Sequence, residues 1–158
     1  SFKEREKNNF DHPDSIDFEL LYTDLYNIKK SITTDTPIYD YKTHTRKKNE
    51  TKKIENVKVI IIEGIFALFD KKIRNLLSMK IYVDTPSDVR LLRRIKRDMS
   101  KRARTIEGII EQYNKTVKPM FTKFVKPTRD YADIIIPFGG KNKVSIDTIV
   151  TNIKKTYI

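Results

Sequence analysis

The sequence predicts an α/β protein built on a parallel sheet, with helices on both faces in a three-layer sandwich. Three apolar runs indicate this class: "VKVIIIEGI" (57–65), "MKIYVDTP" (79–86) and "ADIIIPFGG" (132–140). Each run is rich in β-branched residues and leads into a polar or glycine turn, as strands buried on both faces do. Helical patterns separate the runs, which favours a parallel sheet with ligands at the carboxyl ends of its strands.

Length and composition narrow the class of protein. The 158 residues suit one domain, and the absence of cysteine excludes disulfides, thiolate zinc sites and cysteine nucleophiles. No apolar run is long enough to cross a membrane, so we expect a cytoplasmic protein without membrane contact. The start, "SFKEREKNNF", is no signal peptide and lacks methionine, so we expect an excised or truncated piece.

The net charge of +12 suits a polyanionic partner, because 33 basic residues stand against 21 acidic ones. Nucleic acid, an anionic membrane and a phosphate-rich small ligand all fit that excess. A lysine-rich solvated surface explains the lysines equally well. The arginines are spread less evenly, and their grouping bears on function.

A helix and an extended hairpin precede the first apolar run. Residues 14–32 have apolar side chains near helical spacing, and Asp14 or Ser15 is the expected N-cap. Residues 38–44 and 51–55 are predicted to form the two arms of a hairpin, joined by the polar turn "RKKNE".

Helices are predicted again after the second apolar run. Residues 87–103 form a basic helix with Leu91, Leu92, Ile95 and Met99 on the side opposite its arginines. The next segment, "TIEGIIEQYNKTV", has an apolar stripe that Pro119 interrupts, and 143–157 form a final helix. The densest cationic group lies at the end of the basic helix: Arg93, Arg94, Arg97, Lys101, Arg102 and Arg104. Guanidinium groups clamp phosphate oxygens during phosphoryl transfer, although a solvated basic face is an equal alternative.

Candidate ligand-binding residues lie around the hairpin and the first strand. Asp11 precedes Pro13 on an extended loop, where its oxygens suit the vicinal hydroxyls of a sugar or stabilise a turn. Tyr39 and His44, in "PIYDYKTHTRK", offer stacking area and a polar ring nitrogen to a flat heterocycle, with Tyr41 as a second aromatic wall. A surface hairpin with aromatic packing is the alternative. Glu63, at the end of the first strand, can hold Mg²⁺ or be a salt-bridged strand-end acid.

Several motifs in this order resemble the uridine kinases (uridine–cytidine kinases). They are "NFDHPDSIDF", "PIYDYKTHTR", "IIIEGIFAL", "IYVDTPSDVRLLRRIKRD", "QYNKTVKPMF" and "YADIIIPFGGKN". The resemblance implies a P-loop kinase-like fold over 1–158, with a nucleoside-binding hairpin at 37–56 and an arginine-rich lid at 93–105. It also implies transfer of the ATP γ-phosphate, with Mg²⁺, to the 5′-hydroxyl of uridine or cytidine, and a homo-oligomer, often a tetramer.

The resemblance assigns a role to each candidate residue. Tyr39, Tyr41 and His44 match positions that hold the pyrimidine, and Arg104 and Gln112 match further nucleoside contacts. The other roles are Asp11 and Arg94 at the ribose, Arg97 and Arg102 at the phosphates, Glu63 at Mg²⁺ and Lys141 near the ATP base.

The family's phosphate loop, G-x-x-x-x-G-K-[ST], and its catalytic aspartate do not occur in the given sequence. We therefore expect the P-loop strand to be missing between 57–63 and 79–84, and the fragment to be inactive alone. A catalytically dead nucleoside-binding or scaffold module is the main alternative. Nucleic-acid binding leaves the Tyr39–His44 pair unexplained, and so does a phosphoribulokinase-like activity.

Overall fold

The computed structural model describes residues 9–40 and 43–157, with the side chain of residue 157 left out. The chain divides into two compact units, Ser1–Leu77 and Ser78–Ile158. The first contains a short 3-10 helix, two helices and an antiparallel hairpin. Their bounds are Pro13–Ser15 (3-10 helix), Phe18–Lys29 (α1), Thr34–Asp40 (β1), Thr45–Ile54 (β2) and Lys71–Leu76 (α2).

The first helix begins later than its sequence pattern predicts. Its N-cap is Asp17, whose Oδ1 accepts a hydrogen bond from the Leu20 N–H at 3.1 Å. The predicted caps, Asp14 and Ser15, lie in the separate 3-10 helix, and Ile16 is extended with φ of −111° and ψ of 132°. That extended residue prevents one continuous helix, so the cap prediction was wrong by two or three positions.

The hairpin is present, but its turn lies elsewhere than predicted. Thr34–Pro37 pair with Thr51–Ile54, and after an irregularity Tyr39 pairs with Arg46. The chain therefore reverses between Asp40 and Thr45, not at "RKKNE". That polar segment lies within β2, at the irregularity in register, and Asn49 there takes a left-handed φ of 58°.

The first apolar run is not a strand in the part of the chain that the structure describes. Residues 57–63 form no ladder, and Ile61 is 79% exposed. A strand gains its stability from paired neighbours that satisfy its backbone groups, and no described residue pairs with this run. The prediction of a strand ending at Glu63 was therefore wrong for this structure.

The core of the first unit lies under α1 and α2. It is made of Leu25, Phe66, Leu68 and Ile73, all buried. Phe69 contacts Phe66 edge-on, with ring centroids 6.0 Å apart. The segment just after the apolar run thus provides the packing that the run itself does not.

The second unit contains a parallel two-stranded sheet and several helices. Its elements are Ile81–Val83 (β3), Ser87–Arg102 (α3), Ile106–Gln112 (α4), Lys118–Met120 (α5), Ile134–Ile136 (β4) and Lys143–Tyr157 (α6). Ile81 pairs with Ile134 and Val83 with Ile136, so the second and third apolar runs are parallel strands, as predicted. The α/β class is confirmed, with small parallel and antiparallel sheets.

Pro119 does not end the helical stretch that follows α4. Two π-helical segments, Tyr113–Val117 and Phe121–Val125, flank α5, and a 3-10 helix then covers Lys126–Tyr131. Proline removes one backbone donor, and local π-helical hydrogen bonding is one way for a helix to continue through such a site. The predicted interruption was wrong.

The basic helix α3 is confirmed, but its apolar side is not its most buried side. Leu92 and Met99 are 66% and 50% exposed, whereas Asp98 is completely buried. Ala103 closes the helix in the left-handed region, with φ of 49°. Thr105 then caps α4 by accepting the Gly108 N–H at 3.2 Å.

Candidate active site

A cluster of arginines surrounds the buried carboxylate of Asp98. Arg97 donates from Nε to Oδ1 at 2.7 Å, and Arg102 Nη1 lies 3.5 Å from the same oxygen. Arg94 Nε and Arg104 Nη1 lie 3.8 Å and 3.6 Å from Oδ2. The C-terminal part of α3 and the loop after it thus bring together four of the arginines predicted from the sequence.

Gln112 joins this cluster from the end of α4. Its Oε1 accepts hydrogen bonds from Arg94 Nη2 at 3.1 Å and from Arg104 Nη1 at 2.6 Å. A single amide oxygen therefore holds two guanidinium groups side by side. Of the predicted cationic group, Arg94, Arg97, Arg102 and Arg104 lie around this acid, whereas Arg93 lies near Gly139 and Lys101 is exposed. Gln112, which binds two of these arginines, completes a set of five residues: Arg94, Arg97, Arg102, Arg104 and Gln112. We call this set the arginine cluster.

The charges of the arginine cluster keep Asp98 ionised. Burial on its own would raise the pKa of Asp98, but the Arg97 hydrogen bond and the charges of Arg97, Arg102 and Arg94 outweigh it, so the pKa is lowered. Sequence reasoning missed this residue. The available signal was an acid in the middle of a basic run, at helical spacing from Arg94 and Arg102.

In the first unit, aromatic side chains line an open cleft of about 1350 Å³ between α1 and the hairpin. The rings of Phe10 and His44 stack with centroids 5.2 Å apart and an angle of 28°. Tyr39 lines the same cleft, together with Pro37. Tyr41, the predicted second wall, lies outside the described residues. Phe10 was missed, although it stands beside Asp11 in the motif "NFDHP".

Two polar contacts shape the hairpin end that carries His44. His44 has a left-handed φ of 51°, and Thr43 Oγ1 donates to Asp40 Oδ2 at 2.8 Å within the turn. Arg46 Nη2 donates to Asp17 Oδ2 at 2.8 Å. Asp17 thus caps α1 with one oxygen and binds the hairpin with the other.

Asp17 is held ionised by these contacts. The Arg46 hydrogen bond, followed by the Leu20 N–H, lowers the pKa of Asp17. Its partner Arg46 is another residue that sequence reasoning missed. Both side chains are about half exposed, so the pair orients the hairpin more than it stabilises the fold.

Asp11 and His12 form the loop before the first helix. The Asp11 N–H donates to Asn9 Oδ1 at 3.0 Å, and His12 Nδ1 accepts the Asp14 N–H at 3.2 Å. His12 thus caps the 3-10 helix. Of the two, only His12 lines the aromatic cleft.

Glu63 and Lys141, the predicted Mg²⁺ and ATP-base residues, are both exposed. Within residues 9–40 and 43–157, no group of three or more His, Asp or Glu side chains could hold a metal ion. Glu63 therefore offers one carboxylate, which fits Mg²⁺ only in sites where phosphate oxygens and water complete the shell. Lys141 lies in the turn after β4, where the Gly139 N–H donates to the Asp84 carbonyl at 3.0 Å.

Known proteins are similar to this chain over nearly its whole length. None of the helices in the described part is long and apolar enough to span a membrane. A uridine kinase of Clostridium novyi is 52% identical over 155 residues, which are 98% of this chain and 74% of that protein. A uridine kinase of Proteus mirabilis is 51% identical over 97% of this chain and 71% of its own length. A uridine kinase of Escherichia fergusonii is 47% identical over 99% of this chain and 73% of its own.

A sequence model of the phosphoribulokinase / uridine kinase family matches residues 2–145. That range contains both the aromatic cleft and the arginine cluster. The chain belongs to the phosphoribulokinase / uridine kinase family of kinases.

Proposed function

We propose that this protein is a uridine kinase, which transfers the γ-phosphate of ATP to the 5′-hydroxyl of uridine or cytidine and produces UMP or CMP. Relatives at 52% and 51% identity carry the name uridine kinase, which supports the proposal. The observation that carries it is the aromatic cleft with the stacked Phe10–His44 pair and Tyr39. A nucleoside presents a flat ring to such a surface, whereas a sugar phosphate does not.

The cleft would hold the base of the acceptor by stacking and by directed hydrogen bonds. Tyr39 and His44 offer ring area, and the His44 imidazole also offers a polar nitrogen to the pyrimidine edge. Asp11 is assigned to the ribose hydroxyls, since a carboxylate accepts two hydrogen bonds from neighbouring hydroxyl groups. Arg94 is assigned to the ribose with Asp11, and Arg104 and Gln112 are assigned to further nucleoside contacts. The hydrogen bonds that Gln112 accepts from both arginines hold the three side chains in one orientation.

The phosphate side of the reaction would depend on charge. Arg97 and Arg102 have side chains 46% and 56% exposed, so their guanidinium groups can reach a ligand while they remain beside Asp98. Phosphoryl transfer depends mostly on positioning and neutralising charge, which these groups supply. Bound Mg²⁺ would neutralise charge on the ATP phosphates, with Glu63 as its carboxylate, and Lys141 is assigned to the ATP base.

Calorimetric titration with uridine tests the acceptor assignment. Because base–aromatic stacking contributes about 1–3 kcal/mol per base, Tyr39→Ala and His44→Ala should each weaken uridine binding by roughly 5- to 150-fold. Tyr26→Ala is the matched control, since Tyr26 is an exposed aromatic residue of α1 that does not line the cleft. Equal losses in all three variants, or tighter binding of ribulose 5-phosphate than of uridine, would contradict the proposal.

Transfer itself is measured on the full-length gene product with uridine, ATP and Mg²⁺. Formation of UMP is the expected result, and Tyr39→Ala should lower kcat/KM for uridine without changing the KM for ATP. Uridine binding without any UMP formation in that protein would instead favour the nucleoside-binding or scaffold module.

A further inference from the structure

Asp98 is a buried acid surrounded by more positive charge than it can neutralise. Four arginines approach its two carboxylate oxygens, yet of these four side chains only Arg97 forms a hydrogen bond with the carboxylate. In the described part of the chain, Asp98 Oδ2 and Arg94 Nε are buried and lack any hydrogen-bond partner, although they lie 3.8 Å apart. The cluster therefore holds opposite charges close together, but two of its buried polar atoms form no hydrogen bond.

The four arginines fall into an inner and an outer pair. The inner pair, Arg94 and Arg104, has side chains 18% and 35% exposed, and Gln112 holds both. The outer pair, Arg97 and Arg102, is about half exposed, and among the described residues its ion-pair partner is Asp98 alone. The inner pair is thus fixed by a second contact, whereas the outer pair is held by the charge of Asp98.

We propose that Asp98 is a positioning residue that substitutes for phosphate, holding Arg97 and Arg102 in place until phosphate oxygens of the substrate take over these contacts. This inference rests on the proposed kinase function. Arg97 uses only Nε in its hydrogen bond with Asp98, so its two terminal nitrogens are left for a bidentate contact with a phosphate. Asp98 itself touches no substrate in this scheme and acts through the two arginines.

Such a role has a signature that simple structural support lacks. Removing the negative charge leaves four arginines without a counter-charge, so an added polyphosphate should bind more tightly. The same change removes the group that orients Arg97 and Arg102, so transfer should become slower. Anion affinity and kcat are therefore expected to move in opposite directions.

The test compares Asp98→Asn with Asp88→Asn. Both variants remove one negative charge from α3, but Asp88 lies in the first turn, away from the arginine cluster. Calorimetry with inorganic tripolyphosphate at low salt should give about tenfold tighter binding for Asp98→Asn and little change for Asp88→Asn. In the full-length gene product, Asp98→Asn should lower kcat about tenfold or more, without a higher KM for ATP.

Three results would overturn the inference: weaker tripolyphosphate binding in Asp98→Asn, equal effects of the two variants, or an unchanged kcat. If Asp98→Asn does not fold, the variants Arg97→Gln and Arg102→Gln test the inference instead. Each of these two variants should weaken tripolyphosphate binding with little change in Tm, whereas Arg94→Gln should lower Tm. An unchanged affinity for tripolyphosphate in both Arg97→Gln and Arg102→Gln would refute the inference. Tripolyphosphate binding needs no uridine, so failure of the nucleoside assignment and failure of this inference are separate results.

Discussion

The turn after β4 contains a glycine that holds the loop carrying Lys141. Gly139 is buried, has a left-handed φ of +83°, and donates its N–H to the Asp84 carbonyl. A Cβ atom at this position would lie 2.8 Å from Thr85 Oγ1 and 3.3 Å from Arg93 Nη1. Gly139→Ala should therefore strain the backbone and also force the side chain of Thr85, which follows β3, to shift.

The magnitude follows from these two terms. A left-handed conformation costs a residue with a Cβ about 1–2 kcal/mol, and relieving the contact with the stiff, β-branched threonine adds about 1 kcal/mol. Together they should lower the free energy of unfolding by about 2–3 kcal/mol, which corresponds to a decrease in Tm of roughly 4–12 °C. Urea and thermal unfolding followed by circular dichroism measure both quantities.

Gly140 provides the matched control, because it is exposed and a Cβ there would meet nothing within 4 Å. Gly140→Ala should change stability by about 0.5 kcal/mol or less. Adding Thr85→Ala to Gly139→Ala should recover the contact part, about 1 kcal/mol, and leave the backbone part. If Gly139→Ala were as stable as Gly140→Ala, the argument from the glycine geometry would be refuted.

Three further predictions concern the two sites. Arg46→Gln should reduce stability by less than about 1 kcal/mol but weaken uridine binding several-fold, because the ion pair with Asp17 orients the hairpin; a variant with unchanged uridine affinity in calorimetry would contradict this. Since the folded-state pKa of Asp98 is lowered, its ionised form stabilises the fold above its ordinary pKa of 3.8, and this contribution is lost as the pH falls below that value. Urea unfolding between pH 6 and pH 3 should therefore show a steeper loss than in Asp98→Asn, and parallel curves would disprove it. Gln112→Leu removes the acceptor shared by two partly buried arginines, so Tm should fall by the equivalent of about 1–3 kcal/mol. Glu111→Leu is the control, because Glu111 is exposed and its replacement should leave Tm unchanged. An unchanged Tm in Gln112→Leu as well would contradict the prediction.

Local sequence patterns correctly predicted a helix, whose hydrogen bonds are local, and two strands that pair with each other within the given sequence. The basic helix at 87–103 and the strands within 79–86 and 132–140 appear where the pattern indicated. The turn of the hairpin was misplaced because the polar segment "RKKNE" has good turn chemistry, whereas strand pairing and the left-handed His44 decide where the chain reverses. Turn propensity is a local quantity, and register depends on both strands together.

The run 57–63 is a case in which the local pattern failed to predict the structure. Its composition is that of a buried strand, yet in the described structure it is unpaired and Ile61 is largely exposed. β-propensity expresses how well a residue fits a paired and covered surface, so it does not produce a strand where no neighbour is present. The strand prediction was wrong here because no described residue pairs with this run.

By itself, the sequence determined the α/β class and the family, because motifs and hydrophobic periodicity are properties of the linear chain. Only the tertiary structure decided that Phe10 stacks on His44, that Arg46 binds Asp17, and that Asp98 is buried among the arginines. Burial and partner choice depend on residues distant along the chain, and the charge of an acid such as Asp98 has a different consequence in a buried cluster than on a solvated helix.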